Sequence, residues 1–220
     1  MKPRIKICCI GSLSEARLAV RAGASALGLV SAMPSGPGAI DEELIAAIAT
    51  RVPPAIGTFL LTSRQDADAI IEQQCRCRTN TLQLVDHVPV AELVKLRTAL
   101  PGISLVQVIH VTGPESVEVA RDVAPYVDAI LLDSGNQKLP VKELGGTGRT
   151  HDWRISREIR DALSLSLRLP VFLAGGLKPA NVRYAVAAVE PFGLDICSGV
   201  RGEGKLDADK LQAFIQAALA

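Results

Sequence analysis

The sequence has few aromatic residues and almost no net charge. Aromatic residues make up 3% of the 220 residues, and 24 basic residues against 23 acidic ones leave a formal net charge of +1. A nearly neutral chain lacks the basic surface that attracts nucleic acid, and few aromatic side chains are available to stack on bases. We therefore expect no nucleic-acid partner.

Long apolar runs and regularly spaced cysteines are also missing. No apolar stretch approaches the roughly 18 residues of a membrane helix, so we expect neither a membrane span nor a secretory leader. The five cysteines are odd in number and lack the spacing of a secreted disulfide scaffold. Cys75 and Cys77 have no second pair with which to bind zinc, so we expect no metal. These patterns are typical of a cytoplasmic protein.

Short apolar runs recur along the chain, with helical patterns between them. The eight strand candidates are residues 5–10, 26–30, 55–60, 81–85, 104–109, 128–132, 170–174 and 193–197. Capping-box patterns at Ser12, Thr62 and Thr112, each followed three residues later by Glu or Gln, predict helix starts.

Eight strand–helix units average about 27 residues each, near the lower size limit of a (β/α)8 barrel. The predicted fold class is therefore α/β, a (β/α)8 TIM barrel in which residues 1–220 form a single domain. An open doubly wound sheet is the alternative. Such a sheet usually carries its glycine fingerprint after the first strand, where this chain has CCIGSLSEA.

The first strand candidate predicts which of two adjacent cysteines faces the barrel interior. Alternation places Lys6 and Cys8 on one face and Ile5, Ile7 and Cys9 on the other. If the two isoleucines pack against helices, Cys8 points into the barrel and Cys9 points away from it. The alternative role for Cys8 is that of a small buried hydrophobic residue.

A glycine pair follows the seventh strand candidate and predicts a phosphate-binding turn. Gly175 and Gly176 allow their backbone N–H groups to approach an anion, and Pro179 fits the first turn of a following helix. A simple tight turn is the alternative. Strand ends converge at the barrel mouth, which adds further candidate contacts. These are Gly146, Ser198 and Gly199.

Five segments together resemble the phosphoribosylanthranilate isomerases of tryptophan biosynthesis. They are KIC at 6–8, LLD at 131–133, GGTGRTHDW at 145–153, LAGGLKPANV at 173–182 and SGV at 198–200. The resemblance implies an enzyme that converts an aminoaldose phosphate into a 1-amino-ketose phosphate by an Amadori rearrangement, without cofactor or metal. It implies that Cys8 is the general base and Asp133 the general acid, in a monomer or a homodimer.

The chemistry agrees with these residue types. An acid must protonate the furanose ring oxygen so that the ring opens to a protonated imine, and a base must then remove the C2 proton. A carboxyl group and a thiolate can perform these two steps. The alternative role of Asp133 is a helix cap or a solvated loop residue.

The chain departs from the family pattern near the predicted mouth. The second loop of the family carries an Arg that pairs with the anthranilate carboxylate, whereas residues 31–40 contain neither Arg nor Lys. Gln83 is retained, but Asp86 and Arg201 replace a Gly and a Glu of the family, and Cys9 replaces another Gly. Arg149 is a further candidate substrate contact.

Three functions remain open at this point. The first is phosphoribosylanthranilate isomerase with an altered carboxylate contact, using Arg149, Arg201 or backbone donors of the second loop. The second is an acid–base enzyme acting on a different phosphorylated sugar. The third is a barrel that binds a phosphorylated ligand without turnover, which retention of both Cys8 and Asp133 argues against.

Overall fold

The computed structural model describes residues 2–135, 142, 144, 148–166 and 169–220. Eight parallel strands close into a barrel in the order β1 to β8, and a two-stranded antiparallel hairpin, β9 and β10, follows. The strands are β1 Arg4–Ile7, β2 Ala26–Val30, β3 Gly57–Thr62, β4 Thr81–Leu84, β5 Ser104–His110, β6 Ala129–Asp133, β7 Val171–Leu173, β8 Gly193–Ile196, β9 Arg201–Gly202 and β10 Lys205–Leu206. The predicted TIM barrel and its eight strands are confirmed.

A helix follows each barrel strand, as the spacing of the apolar runs predicts. The helices are α1 Leu13–Ala22, α2 Glu42–Ala49, α3 Ala67–Cys77, α4 Val90–Ala99, α5 Ser116–Val123, α6 Trp153–Ser166, α7 Val182–Val189 and α8 Ala208–Leu219. Short 3-10 turns cover Ala124–Tyr126 and Ser198–Val200.

Two hydrophobic layers hold the barrel together. Ile5 and Ile7 belong to the outer layer, between the strands and the helices. Cys8 belongs to the inner layer, together with Phe59 and Phe172. The predicted strand phase is therefore correct within β1, because side chains alternate across a strand.

Only one of the three predicted capping boxes caps a helix. The Ser12 side chain accepts a hydrogen bond from the Glu15 backbone N–H and begins α1. Thr62 instead ends β3, and Asp66 caps α3. Thr112 contacts Glu115 through its side chain, but α5 starts three residues later than predicted. The capping-box pattern is local, whereas strand pairing decides how far β3 extends.

Candidate active site

A cavity opens at the carboxyl ends of the barrel strands and collects most of the predicted site residues. Its lining includes residues from the loops after β1, β2, β6, β7 and β8. The predicted residues that line it are Cys8, Gln83, Asp133, Gly175, Gly176 and Ser198. The Gln83 side-chain oxygen is buried and has no hydrogen-bond partner among the described residues, so it is available to a ligand.

Cys8 lies at the floor of this cavity, one residue beyond β1. Its side chain is buried and is a free thiol. Burial raises the pKa of Cys8 to about 11; Lys6 opposes that shift, and the charges of Asp195 and Asp133 add to it. The thiol is therefore predominantly protonated at neutral pH in the absence of ligand.

Asp133 ends β6 on another side of the cavity. The Ser134 backbone N–H donates a 2.7 Å hydrogen bond to Asp133 Oδ1. Gly175, at φ +81°, lies against this carboxylate, and a Cβ at that position would be 3.2 Å from Asp133 Oδ1. The glycine therefore leaves space beside the acid, which a larger residue would occupy.

His151 is a neighbour of Asp133 that the sequence patterns do not predict as a site residue. A Cβ on Gly175 would lie 3.1 Å from His151 Nδ1, so the imidazole and the carboxylate border the same small space. His151 Nε2 is 2.7 Å from Ser156 Oγ, and His151 Nδ1 is buried without a hydrogen-bond partner among the described residues. Burial lowers the pKa of His151, although Asp133 and Asp152 oppose the shift. The sequence signal that could have identified His151 was its position in the GGTGRTHDW segment.

The glycines after β7 and β8 have more than one role. Gly176 at φ +61° packs under the sixth loop, because its Cβ would lie 2.6 Å from the Arg149 carbonyl carbon. Gly199 does not line the cavity; its Cβ would collide with the Leu177 carbonyl oxygen. Gly199 therefore allows close packing between two loops, and its predicted ligand contact stays a prediction.

Pro179 lies in the turn that leads into the helix and not within the helix itself. Helix α7 begins at Val182, after a turn in which the Lys178 backbone N–H donates to Asn181 Oδ1. The glycine pair is therefore followed by this turn and not directly by the N-terminal end of α7. Ser198 Oγ lies 3.9 Å from the Cβ position of Gly148, so the sixth and eighth loops approach each other at the cavity.

Two other predicted contacts have different outcomes. Arg149 is exposed and lies outside the cavity lining. Gly146 lies outside the described residues. Of the sixth loop, Leu144 and Gly148 border the cavity.

Cys9 lies at the cavity as well as Cys8, against the expectation from strand alternation. β1 ends at Ile7, and Cys9 adopts a left-handed conformation with φ 60°. Strand alternation therefore does not extend to Cys9. Cys9 forms a disulfide with Cys197, which follows β8. The number and spacing of the cysteines, which do not indicate a disulfide scaffold, do not predict this pair.

Comparison with known proteins identifies the family. The profile of the N-(5'-phosphoribosyl)anthranilate (PRA) isomerase family matches residues 5–217. The chain belongs to this family. A PRA isomerase of Methanocella arvoryzae is 33% identical over 214 residues, covering 97% of this chain and 96% of its own. One from Haloferax volcanii is 36% identical over 217 residues, covering 98% and 92%.

Solved PRA isomerases share the fold. The Thermotoga maritima enzyme has a TM-score of 0.82 and 30% identity, with 98% of each chain covered. A PRA isomerase in complex with reduced 1-(o-carboxyphenylamino)-1-deoxyribulose 5-phosphate has a TM-score of 0.79 and 28% identity, again over 98% of each chain. The predicted family resemblance is confirmed.

The second loop of this PRA isomerase family member is bound to its sixth loop. Ser35 Oγ donates a 2.5 Å hydrogen bond to the Lys142 carbonyl oxygen and accepts one from the Leu144 backbone N–H. Lys142 Nζ in turn lies 2.5 Å from the buried Asp86 carboxylate. Asp86, at a position where the family has Gly, therefore anchors the sixth loop.

Arg201 is committed to structural contacts. Its guanidinium pairs with Glu15 at 3.0 Å and donates to the carbonyl oxygens of Gly204 and Cys9. Burial opposes ionisation of Glu15, but hydrogen bonds from Arg201, Gly11 and Leu206 outweigh it and lower the Glu15 pKa. Arg201, at the position where the family has Glu, therefore anchors the first loop.

The described part of the chain contains no group of three or more His, Cys, Asp or Glu residues that could hold a metal ion. Within the same residues, no helix is both long and apolar enough to cross a membrane.

Proposed function

We propose that this protein is a PRA isomerase acting in tryptophan biosynthesis. It would convert N-(5'-phosphoribosyl)anthranilate into the corresponding 1-amino-1-deoxyribulose 5-phosphate, an intramolecular aldose–ketose isomerisation. The observation that carries the proposal is that Cys8 and Asp133 line one cavity with Gly175, Gly176 and Ser198. Family membership supports the same reaction.

In this mechanism Asp133 acts first, as the general acid. Its proton goes to the furanose ring oxygen, the C1–O bond breaks, and the nitrogen lone pair forms a C1=N bond. The product is an open-chain protonated imine. General acid–base catalysis of this kind contributes about 10²–10⁴-fold to a rate.

Cys8 then acts as the general base. Its thiolate removes the C2 proton, and the electron pair moves into a C1=C2 bond as the imine nitrogen becomes neutral. Tautomerisation of this enol gives the C2 ketone. Once Asp133 has given up its proton, its carboxylate charge raises the pKa of Cys8, which makes the Cys8 thiolate a stronger base.

The phosphate would be held by the loops after β6, β7 and β8. Ser198 contributes a hydroxyl group, and Gly148, Gly175 and Gly176 expose backbone near it. The Gln83 side chain would contact the sugar. No cofactor is required, because both protons move between the substrate and side chains.

Two further properties belong to this proposal. The protein would be cytoplasmic, because the charged phosphate ester of the substrate does not cross a lipid bilayer unaided. Its partner is a phosphorylated small molecule, and the active form would be a monomer or a homodimer.

A direct isomerase assay tests the proposal. We expect purified protein to convert N-(5'-phosphoribosyl)anthranilate, with kcat falling at least about 100-fold in Cys8→Ala and in Asp133→Asn. Cys75→Ala is the matched control, since Cys75 is an exposed free thiol. Circular dichroism must show that each variant remains folded. An inactive wild-type protein, or full activity in either site variant, would contradict the proposal.

A further inference from the structure

Lys6 is a fully buried charged residue inside the barrel. Its side chain is 0% exposed, and Nζ lies 2.8 Å from Asp195 Oδ1. The two residues are register partners across the β1–β8 pair, which places their side chains side by side on the inner face. The ammonium also lies 5.2 Å from the centre of the Phe59 ring. Burying a lysine is costly, so its environment must favour the charge.

The Lys6 ammonium reaches the space beside the Cys8 thiol. A Cβ on Gly28, in the neighbouring strand β2, would lie 2.8 Å from Cys8 Sγ and 2.9 Å from Lys6 Nζ. Both atoms therefore approach the same point on Gly28. Lys6 lies in β1 and Cys8 directly follows the end of that strand, and both side chains point to the inner face. The ammonium therefore lies beneath the thiol.

The ammonium also has N–H groups available for a further acceptor. Nζ pairs with Asp195 Oδ1 at 2.8 Å, and Cys8 is the other side chain whose interaction favours the charge on Lys6. The contact with Asp195 is thus an ion pair that holds the cation in place. A thiolate at Cys8 would accept a charge-assisted hydrogen bond from this ammonium.

We propose that Lys6 is a positioning residue whose ammonium, held by Asp195, stabilises the thiolate form of Cys8. The inference rests on the proposed role of Cys8 as the general base. Asp195 holds the cation but also places a negative charge near the thiolate. Lys6 and Asp195 therefore have opposite effects on the amount of base.

The charges around Cys8 support this assignment. Burial raises the Cys8 pKa most, and Lys6 is the cation that lowers it, whereas Asp195 and Asp133 both raise it. These are the titratable groups that face the thiol from β1, β8 and β6. Burial by itself would lower the pKa of Lys6, but attraction to Asp195 and Cys8 outweighs it, so the pKa is raised and Lys6 keeps its charge.

The test measures thiolate formation without substrate. Alkylation of Cys8 by iodoacetamide is followed across pH by mass spectrometry in a Cys75→Ser background, because only the thiolate reacts. We expect Lys6→Met to slow alkylation at least about tenfold at a fixed pH below the Cys8 pKa, equal to a shift of one pKa unit. Asp195→Asn should accelerate it. A merely structural pair would not give opposite signs.

A second comparison covers the case in which Lys6→Met does not fold. Removing one member of a buried ion pair is strongly destabilising, whereas removing both is tolerated better. Asp195→Asn and the double variant Lys6→Met/Asp195→Asn differ only at Lys6, and we expect at least about tenfold slower alkylation in the double variant. Equal rates in this pair would overturn the inference.

The same variants separate this inference from the proposed function. With N-(5'-phosphoribosyl)anthranilate as substrate, we expect the rising limb of the kcat–pH profile to move in the same direction as the alkylation profile. Loss of the alkylation shifts overturns the role of Lys6, even if isomerase activity is present. Intact alkylation shifts in a protein without isomerase activity would instead contradict the proposed function.

Discussion

Cys9 and Cys197 are joined across the seam where the first and last strands of the barrel meet. They are 188 positions apart in sequence, with Cα atoms 5.9 Å apart. Each directly adjoins a proposed site residue, Cys8 on one side and Ser198 on the other. The second loop packs on this bond, because a Cβ on Gly38 would collide with the Cys9 side chain. The disulfide thus joins the loops after β1 and β8, and the second loop packs against it.

Reduction of this disulfide should destabilise the protein. A cross-link that closes a long loop restricts the unfolded chain, and a native disulfide typically contributes about 2–4 kcal/mol. We expect a reductant to lower the urea midpoint of the wild-type protein. Cys197→Ser should have the same low midpoint as the reduced wild-type protein, with or without reductant. Cys75→Ser should behave as wild type. Equal midpoints for wild type and Cys197→Ser under oxidising conditions would contradict this expectation.

Replacement by alanine should destabilise the protein more at Gly176 than at Gly204, a glycine of similar conformation. Gly176 and Gly204 have φ values of +61° and +77°, but only Gly176 would place its Cβ against backbone, 2.7 Å from the Thr150 nitrogen. Both substitutions carry the left-handed penalty of about 1–2 kcal/mol. Gly176→Ala must also displace the loop that leads to His151.

We therefore expect a larger loss of unfolding free energy in Gly176→Ala than in Gly204→Ala, by at least about 1 kcal/mol. Urea denaturation measures that difference, and the isomerase assay should show reduced activity only in Gly176→Ala. Similar losses in the two variants would show that the sixth loop does not depend on close packing at Gly176.

His151 should make stability depend on pH in the acidic range. Its pKa in the folded protein is lowered by burial, so below the ordinary value of about 6.5 the unfolded chain binds a proton that the folded chain excludes. Stability should fall as the pH decreases below that value, until His151 is protonated in the folded state. The slope contributed by one such group is at most about 1.4 kcal/mol per pH unit.

His151→Gln removes this contribution. We expect the variant to be less stable than wild type at pH 7.5, because the contact with Ser156 is altered, and the difference to narrow at pH 5.5. Urea denaturation at both pH values measures it, with His87→Gln as the control for losing an exposed histidine. A difference that is constant between the two pH values would exclude a lowered His151 pKa.

The barrel could be predicted because its evidence is local and repeated. Each apolar run is a strand that must be buried, and each glycine or polar cluster between runs allows the chain to turn. The inward direction of Lys6 and Cys8 also follows from local alternation within β1. Prediction failed at Cys9, because that residue lies two positions beyond β1 and its left-handed conformation breaks the alternation of side chains.

The sequence by itself determined the fold class, the family and the placement of Cys8 and Asp133 at the ends of their strands. Only the tertiary structure decided that Cys9 bonds to Cys197, that Lys6 lies beside Asp195, that His151 borders Asp133 and that Asp86 anchors Lys142. The physical reason is that periodicity reports which face of an element is buried, whereas these pairs form between elements that are distant in the chain. Closure of the barrel and packing of its loops bring them together.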